Sequence, residues 1–231
     1  MRIFAGFKES DQLLASEIIN ELGEVVYPIY WPKKRTIKVE DINLFPTDIG
    51  KDQDFYIHYS GYQKISTKLL GFFPNRAFNL HPAPPWFRGS GGLNHAIYRE
   101  ELKFGLTFHH MSSEYDDGKI IKIYDFQILL DENIIEATKR INSFRKDVFK
   151  EILLNLKDQN KDNLFLSSAK EINWQGHLYK ISDIDDLSTI DSFEKEVSFD
   201  EINKRIKAFA TKDFPIKLKT KYGTYKIYGI E

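Results

Sequence analysis

The segment from His81 to Gly92 constrains this chain more than any other, because its sequence HPAPPWFRGSGG holds three prolines and three glycines. Proline lacks the backbone N–H that a helix interior or a central strand needs, and glycine weakens both kinds of element. The segment is therefore predicted to be a loop of fixed conformation. Backbone held in this way usually positions a ligand or a neighbouring segment, so the residues beside the loop are the first candidates for a functional site.

Strands and helices are predicted to alternate along the first 160 residues. Apolar runs bounded by turn residues predict the strands, and apolar residues at helical spacing predict the helices. This alternation is typical of an α/β fold, so we expect a Rossmann-like, mostly parallel sheet with helices on both faces. The predicted strands are 2–7, Val25–Trp31, Phe55–Tyr59, Ala77–Leu80, Gly105–Met111 and Lys119–Ile128, and the predicted helices begin near Ser10, Ser66, Leu93 and Asp131.

The composition changes after the last of these helices. Residues 157–163 read KDQNKDN, a uniformly polar run that is typical of a domain boundary. Farther on, Ser198 and Glu201 form a capping box for a short helix, and two strands after it predict a hairpin. We expect a catalytic domain at 1–160 and a small C-terminal helix and β-hairpin extension at 161–231, docked on that domain because it is too short for a large core.

Charge and cysteine content exclude several classes of protein. Lys plus Arg is 33 and Asp plus Glu is 34, so the net charge of -1 gives no electrostatic reason to expect nucleic acid as a partner. No apolar run approaches the roughly 20 residues of a membrane span, and we expect neither a leader nor a membrane partner. The absence of cysteine excludes disulfides and thiol nucleophiles and fits a cytoplasmic protein.

Asn79, His81 and Asp116 are the strongest candidates for chemistry. Alternation at the end of a strand puts the Asn79 amide and the His81 imidazole on one face, at the sheet edge where open α/β folds bind ligands. An amide beside an imidazole suits a developing oxyanion, and a carboxylate from a neighbouring loop can orient the imidazole or accept a proton. The structural alternative is that both sequences are ordinary turns.

The other histidines and aromatic residues favour structural roles. His109 and His110 are adjacent on a predicted strand and point to opposite faces, so we expect no metal site. The isolated histidines and three aromatic residues of the C-terminal part are interpreted as core or surface groups, although the aromatic residues could also stack on a nucleotide base. These residues are His58, His95, His177, Trp174, Tyr222 and Tyr225.

Arg88 ends the rigid loop beside a predicted helix start. Free backbone N–H groups at such a start, together with a guanidinium, could bind a pyrophosphate. Arg88, Gly89 and Ser90 are therefore candidate substrate-binding residues, with Arg205 as a second candidate cation. The alternative for Arg88 is an ion pair with a surface carboxylate.

Two runs of this sequence together resemble the signature of the folate-dependent formyltransferases: FNLHPAPPWFRGSGG and, after a predicted helix, FGLTFHHMSSEYDDGKII. In that family Asn-x-His-Pro leads into a proline-rich loop ending in Arg-Gly, and Gly-x-Thr precedes a loop with Asp-x-Gly-x-Ile-Ile. The family's catalytic residues fall on Asn79, His81 and Asp116, whereas Asp117 occupies a variable position. The resemblance covers roughly Asp54–Ile128.

This resemblance implies transfer of a formyl group from N10-formyltetrahydrofolate to a primary amine, without a metal. Asn79 and His81 would polarise the formyl oxygen, and Asp116 would hold His81 and help to remove the amine proton. The pterin is expected to lie against the backbone of one segment and against a loop that ends at the catalytic aspartate. The residues concerned are Tyr62, Gln63, Lys64, Ile65 and Tyr115.

Departures from the family narrow the choice of amine. Members acting on glycinamide ribonucleotide carry a Gly- and Ser-rich loop after the first strand, whereas residues 5–10 read AGFKES. Members acting on methionyl-tRNA carry a larger C-terminal barrel and a basic surface. The sugar N-formyltransferases remain, and they resemble this chain in length and in the short tail with NKRIKA at 203–208. We therefore expect a dTDP-linked 4-amino-4,6-dideoxyhexose of lipopolysaccharide O-antigen biosynthesis as substrate.

Three alternatives stay open after this elimination. The amine could belong to a GDP-linked amino sugar, to glycinamide ribonucleotide or to methionyl-tRNA. The chain could also be a formyltransferase-like binding module without activity, although folding alone does not require Asn79, His81 and Asp116 together. The expected partners are a nucleotide-linked amino sugar and folate, with a homodimer as a possible assembly.

Overall fold

The computed structural model describes residues 1–23, 25–32, 39–50, 53–61, 64–158, 172–191, 196–212 and 214–229. The strands are β1 (Arg2–Lys8), β2 (Val26–Trp31), β3 (Asp54–His58), β4 (Ala77–His81), β5 (Arg88–Gly89), β6 (Lys103–His110), β7 (Ile120–Gln127), β8 (Leu178–Tyr179), β9 (Thr189–Asp191), β10 (Ile216–Thr220) and β11 (Gly223–Ile227). The helices are α1 (Gln12–Leu22), α2 (Thr67–Leu70), α3 (Gly92–Tyr98), α4 (Ile134–Lys157), α5 (Ile181–Leu187) and α6 (Phe199–Phe209), with 3-10 turns at Glu9–Asp11 and Val39–Leu44.

Six of the described strands form the central sheet, in the order β2-β1-β3-β4-β6-β7. Strand β1 pairs in parallel with β2 and β3, and β3 pairs in parallel with β4, whereas β6 runs antiparallel to β4. All five residues of β3 are buried, as expected for a strand that is covered on both faces. The predicted Rossmann-like, mostly parallel α/β fold is confirmed.

Helix α1 buries one apolar stripe. Its buried residues are Ala15, Ile18 and Leu22, which follow the three- and four-residue spacing of one helical stripe. The sequence pattern predicts one buried side with Leu13, Leu14, Ile18, Ile19 and Leu22, but Leu13 is 89% exposed because it lies two residues before Ala15, about 200° around the helix. Gly23 ends the helix with a φ of 81°.

A close contact explains the glycine at the end of β1. The Trp31 Nε1 donates to the Tyr56 hydroxyl at 2.9 Å, and that hydroxyl donates to Nδ1 of His58 at 2.8 Å. A Cβ on Gly6 would lie 2.5 Å from the Tyr56 hydroxyl and 2.7 Å from Trp31 Nε1. This glycine is therefore required by the packing of β1 against a buried polar chain.

The chain divides into two compact units, each built from three segments. Unit 1 is Met1–Pro82, Leu106–Tyr124 and Arg145–Trp174, and unit 2 is Ala83–Gly105, Asp125–Phe144 and Gln175–Glu231. The predicted boundary between residues 160 and 161 lies outside the described residues and stays a prediction. No helix among the described residues is both long and apolar enough to span a membrane.

Unit 2 contains the predicted C-terminal helix and hairpin. The Ser198 side chain accepts the Glu201 N–H at 3.2 Å and caps helix α6, as the sequence indicates. Strands β10 and β11 form the antiparallel hairpin, and β9 adds to it in parallel. The proline-rich segment after His81 is irregular except for β5, which pairs in parallel with β8.

Candidate active site

Strand β4 carries two of the predicted catalytic residues to the carboxyl edge of the sheet. On one side of β4, Asn79 is paired with His58 of the parallel strand β3. On the other side, the antiparallel strand β6 places His109 opposite Asn79 and Thr107 opposite His81. His81 is buried, with 3% of its surface exposed. The register therefore sets the surroundings of both side chains.

Asp116 comes from the loop between β6 and β7 and meets His81. Its Oδ1 lies 3.2 Å from Nδ1 of His81. A carboxylate oxygen only accepts, so Nδ1 of His81 donates, and Nε2 is the nitrogen that exchanges a proton with a ligand. Asp116 has a φ of 46°, a left-handed conformation that costs free energy outside glycine and is typical of functional positions. The structure thus brings Asn79, His81 and Asp116 together in unit 1.

The Asp-x-Gly spacing in this loop has a steric reason. A Cβ on Gly118 would overlap the backbone carbonyl of His110. Only glycine allows the loop to come back against the end of β6, where the N–H of His110 donates to the carbonyl of Lys119 at 2.9 Å. Gly118 thereby fixes where Asp116 stands relative to β6.

His109 orients the Asn79 amide, a role that the sequence analysis missed. Its Nδ1 lies 2.8 Å from the carbonyl of His110, which only accepts, so Nδ1 carries the proton. Burial lowers the pKa of His109 to about 4, and the ring is neutral at pH 7. Its Nε2 then accepts from Nδ2 of Asn79, at 3.0 Å. The second N–H of that amide is left to stabilise an oxyanion.

Trp174 covers both histidines. Its ring centroid lies 5.7 Å from that of His81 and 4.8 Å from that of His109, edge to face in each case, and its Nε1 donates to the carbonyl of Gly118 at 2.7 Å. The sequence analysis placed Trp174 in the tail as a core or stacking residue. Contacts across more than 60 residues of sequence leave no local pattern, so only the antiparallel pairing of β4 with β6 could have pointed to His109, and nothing pointed to Trp174.

The segments predicted to bind folate are partly described. Tyr62 and Gln63 lie outside the described residues. The Lys64 ammonium binds Glu114 at 3.0 Å and lies 5.9 Å from the ring of Tyr115, so the two predicted segments are linked here. Ile65 is buried in the aromatic core. Near them, a cavity of about 490 Å³ is lined by Leu70, Phe73, Asn75, Ala77, His110, Met111 and Lys119.

The predicted phosphate-binding residues belong to unit 2. The Ser90 N–H donates to the carbonyl of Tyr179 at 2.9 Å, and a Cβ on Gly89 would overlap the same carbonyl. These backbone groups are engaged in the pairing of β5 with β8. A phosphate at this place would therefore depend on the Arg88 guanidinium and the Ser90 hydroxyl.

Arg205 has structural partners within unit 2. Its Nε donates to Glu201 at 2.6 Å, and its Nη1 donates to the carbonyls of Leu187 and Thr189 at 3.2 and 3.0 Å. The guanidinium thus joins helix α6 to the segment before and within β9. This arrangement favours a structural role, and phosphate binding by Arg205 stays a prediction.

The remaining histidines differ in burial. Burial lowers the pKa of His58 and of His95 to about 4, and the Nε2 of His95 is buried without a hydrogen-bond partner among the described residues. His177 is exposed beside Asp183 at 3.2 Å. In the part of the chain that the structure describes, no group of three acidic or histidine side chains could hold a metal ion.

Comparison with known proteins shows what this chain is similar to. A family model described as "Formyl transferase" matches residues 52–153. A methionyl-tRNA formyltransferase of Borrelia turicatae is 26% identical over 241 residues, which covers 92% of this chain and 71% of that protein.

Solved structures are similar to the chain over nearly its whole length. A 4-N formyltransferase from Francisella tularensis has a TM-score of 0.67 at 19% identity and covers 99% of this chain and 96% of its own. An N-formyltransferase from Helicobacter canadensis, in complex with folinic acid and dTDP-3-aminofucose, has a TM-score of 0.65 at 16% identity, with coverages of 96% and 85%. At such identities the likeness establishes the fold.

Three of the buried histidines, His58, His95 and His109, predict that acid destabilises the fold. Unfolded histidine binds a proton near pH 6.5, whereas His58, His95 and His109 in the native state do so only near pH 4. Between these values the unfolded state binds more protons, so the free energy of unfolding falls as the pH is lowered, by at most about 3 kcal/mol per histidine. Urea midpoints at pH 7, 6 and 5 measure this, and a constant midpoint would contradict it.

Replacing His109 tests its action on Asn79. His109→Leu fills the buried position with an apolar side chain but removes the acceptor of the Asn79 amide. We therefore expect turnover to fall by roughly 10- to 100-fold with little change in the Michaelis constants. The control is His177→Leu, which removes an exposed histidine and should leave turnover unchanged. Equal turnover in wild type and His109→Leu would show that Asn79 does not need this partner.

Proposed function

We propose that this chain is a formyltransferase that formylates a nucleotide-linked amino sugar, because a formyl transferase family model matches residues 52–153. The donor is N10-formyltetrahydrofolate, and the acceptor is the amino group of a 4-amino-4,6-dideoxyhexose, with the dTDP-linked form favoured. The single observation that carries the chemistry is the contact of His81 with Asp116 beside the oriented amide of Asn79.

The arrangement supports a simple sequence of steps. The amine nitrogen attacks the formyl carbon, and the oxygen of the tetrahedral intermediate accepts hydrogen bonds from the Asn79 amide and from Nε2 of His81, once this nitrogen has taken up the proton that the amine loses. Asp116 stabilises that imidazolium through Nδ1. The C–N10 bond then breaks, and the proton lost by the amine reaches N10 through His81 or Asp116. The products are a formamide and tetrahydrofolate, so atoms and charge balance.

The position of Trp174 favours transfer of the formyl group to an amine over its hydrolysis by water. Its ring packs on His81 and His109, next to the groups that polarise the formyl carbon. Water that reached this carbon would release formate, so an apolar wall here favours the bound amine. Trp174 would therefore form one side of the pocket that receives the acceptor.

Folate is proposed to bind between the two linked segments of unit 1. The bond between Lys64 and Glu114 holds the loop of Tyr115 close to the segment that contains Ile65. The neighbouring cavity has an apolar wall that includes Ala77 and Met111, which suits a flat heterocycle. The Helicobacter canadensis protein, which is similar in fold, was solved with folinic acid.

Two observations support a nucleotide-linked sugar as the acceptor: the similarity in fold to solved structures and the presence of Arg88. The solved structures that cover nearly all of this chain include the Helicobacter canadensis N-formyltransferase with dTDP-3-aminofucose. A diphosphate carries two negative charges that a guanidinium binds in a bidentate manner. We therefore propose that Arg88 binds the pyrophosphate, and we assign no residue to the sugar.

Formylation of methionyl-tRNA is the second candidate. It is favoured by the 26% identity to the Borrelia turicatae enzyme over 92% of this chain. Two lysines of the terminal hairpin are neutralised, however: Lys217 lies 3.3 Å from Asp185, and Lys219 lies 3.8 Å from Asp191. Binding of a tRNA needs an extended basic surface, so these ion pairs favour the nucleotide-linked amino sugar as the acceptor.

A panel assay tests the proposed function. The purified chain and N10-formyltetrahydrofolate are offered dTDP-, UDP- and GDP-linked 4-amino sugars, glycinamide ribonucleotide and methionyl-tRNA, and release of tetrahydrofolate is measured. We expect a dTDP sugar to be formylated fastest. Asp116→Asn should lower turnover by roughly 100-fold or more with the fold intact, whereas the matched control Asp117→Asn should not. Formylation of methionyl-tRNA alone would overturn the acceptor, and full activity of Asp116→Asn would overturn the site.

Arg88 provides a test of the nucleotide contact. Arg88→Ala should raise the Michaelis constant for the sugar nucleotide by about 10-fold or more and leave that for folate unchanged, because a charge-assisted bidentate bond is lost. The control is Arg99→Ala, since Arg99 stacks on Phe87 and Tyr179 in the same unit. Equal effects on both substrates, or none, would show that Arg88 does not bind the diphosphate.

A further inference from the structure

The parallel ladder between β3 and β4 stops just before the catalytic histidine. The N–H of Tyr56 donates to the carbonyl of Arg76 at 2.9 Å, and rungs of a parallel ladder recur every second residue. By this spacing the N–H of Ser60 would donate to the carbonyl of Leu80. It donates instead to the carbonyl of Gly6 in β1, at 3.2 Å. The ends of β3 and β4 therefore separate here.

A side chain from helix α4 takes the place of the missing rung. Nη2 of Arg145 donates to the carbonyl of Leu80 at 3.0 Å and also to the carbonyl of Tyr59. The guanidinium carbon lies 4.3 Å from the centroid of the Tyr59 ring, so the group is stacked as well as hydrogen-bonded. One planar group thus holds both strand ends at a fixed separation.

The charge on Arg145 is costly at this position. The residue makes no ion pair within the described part of the chain, and its Nε is buried without a hydrogen-bond partner there. Burial lowers the pKa of Arg145. A neutral donor would satisfy a carbonyl without the desolvation of a cation, so stability alone does not account for an arginine here.

The peptide that Arg145 holds lies between two catalytic residues. Leu80 separates Asn79 from His81, and its carbonyl direction sets the backbone orientation of both neighbours. We propose that Arg145 is a positioning residue for formyl transfer, which fixes the Asn79–His81 segment where the ladder of β3 no longer does so. This inference rests on the formyl-transfer chemistry proposed above but not on the identity of the acceptor.

The inference predicts a specific kinetic signature. Loss of the hydrogen bonds from Arg145 displaces the side chains of Asn79 and His81 by a fraction of an ångström. Turnover then falls, while the surfaces that bind folate and acceptor stay in place. In Arg145→Met we expect kcat to fall by roughly 30-fold or more, with both Michaelis constants within about threefold of wild type. Arg145→Lys keeps the charge and one donor but loses the planar fork, so a smaller loss is expected.

The experiment uses the full chain and the acceptor that the wild type formylates, with melting temperatures measured alongside. The matched control is Arg140→Met on the same helix, where an arginine pairs with the buried Glu132 at 2.6 Å. This control should lower the melting temperature and leave kcat unchanged. It separates loss of helix stability from loss of positioning.

Each outcome bears on a different statement. A lowered kcat with unchanged Michaelis constants in folded Arg145→Met or Arg145→Lys supports the inference. Unchanged kcat in folded Arg145→Met overturns it, as does unchanged kcat in Arg145→Lys if only the lysine variant folds. Failure of both variants to fold also overturns it, because Arg145 is then a stabilising residue only. A wild type that formylates no amine contradicts the proposed function itself, before any variant is compared.

Discussion

The antiparallel pairing of β6 with β4 is the constraint on which the site depends. It places His109 opposite Asn79, where the imidazole accepts from the amide. It also places His110, the last residue of β6, opposite Phe78 near the start of β4, so the loop after β6 has to return along β4 before Asp116 can lie 3.2 Å from His81. This return depends on Gly118, because a Cβ there would overlap the carbonyl of His110. The reversed strand and this glycine together produce the contact that we propose as catalytic.

Several individually unfavourable features are concentrated at this edge. Asp116 has a left-handed backbone, His58 and His109 are held neutral by burial, and Arg145 is a cation without a carboxylate partner in the described residues. An aromatic core on the same sheet offsets their cost by removing large apolar surfaces from water. That core contains Phe4, Trp31, Phe45, Tyr56 and Phe73. Strain and buried charge are thus tolerated where reacting groups must be held in one geometry.

Local sequence patterns predicted the parts of this structure that depend on local physics. The order of strands and helices follows from periodicity, and Asn79 and His81 follow from their place at a strand end beside a rigid loop. His109 required the direction of β6, which a single strand does not reveal. Arg145 required a contact between a helix and a carbonyl 65 residues away. Leu13 shows the same limit, because the spacing of apolar residues in helix α1 placed it on the buried side, whereas the packing of the helix leaves it exposed.

The residues that we propose for formyl transfer lie in one part of the sequence. Asn79, His81, Asp116 and Arg145 all lie within residues 52–153, the span that the formyltransferase family model matches. Residues 175–231, in unit 2, lie outside that span. The similarity to the Borrelia turicatae enzyme covers 92% of this chain, so it extends beyond the span that the family model matches. Arg88, which we propose for the diphosphate, lies within that span, whereas Trp174 lies outside it. The proposed reaction is therefore argued from Asn79, His81 and Asp116, and the proposed acceptor from side chains on both sides of the boundary of the match.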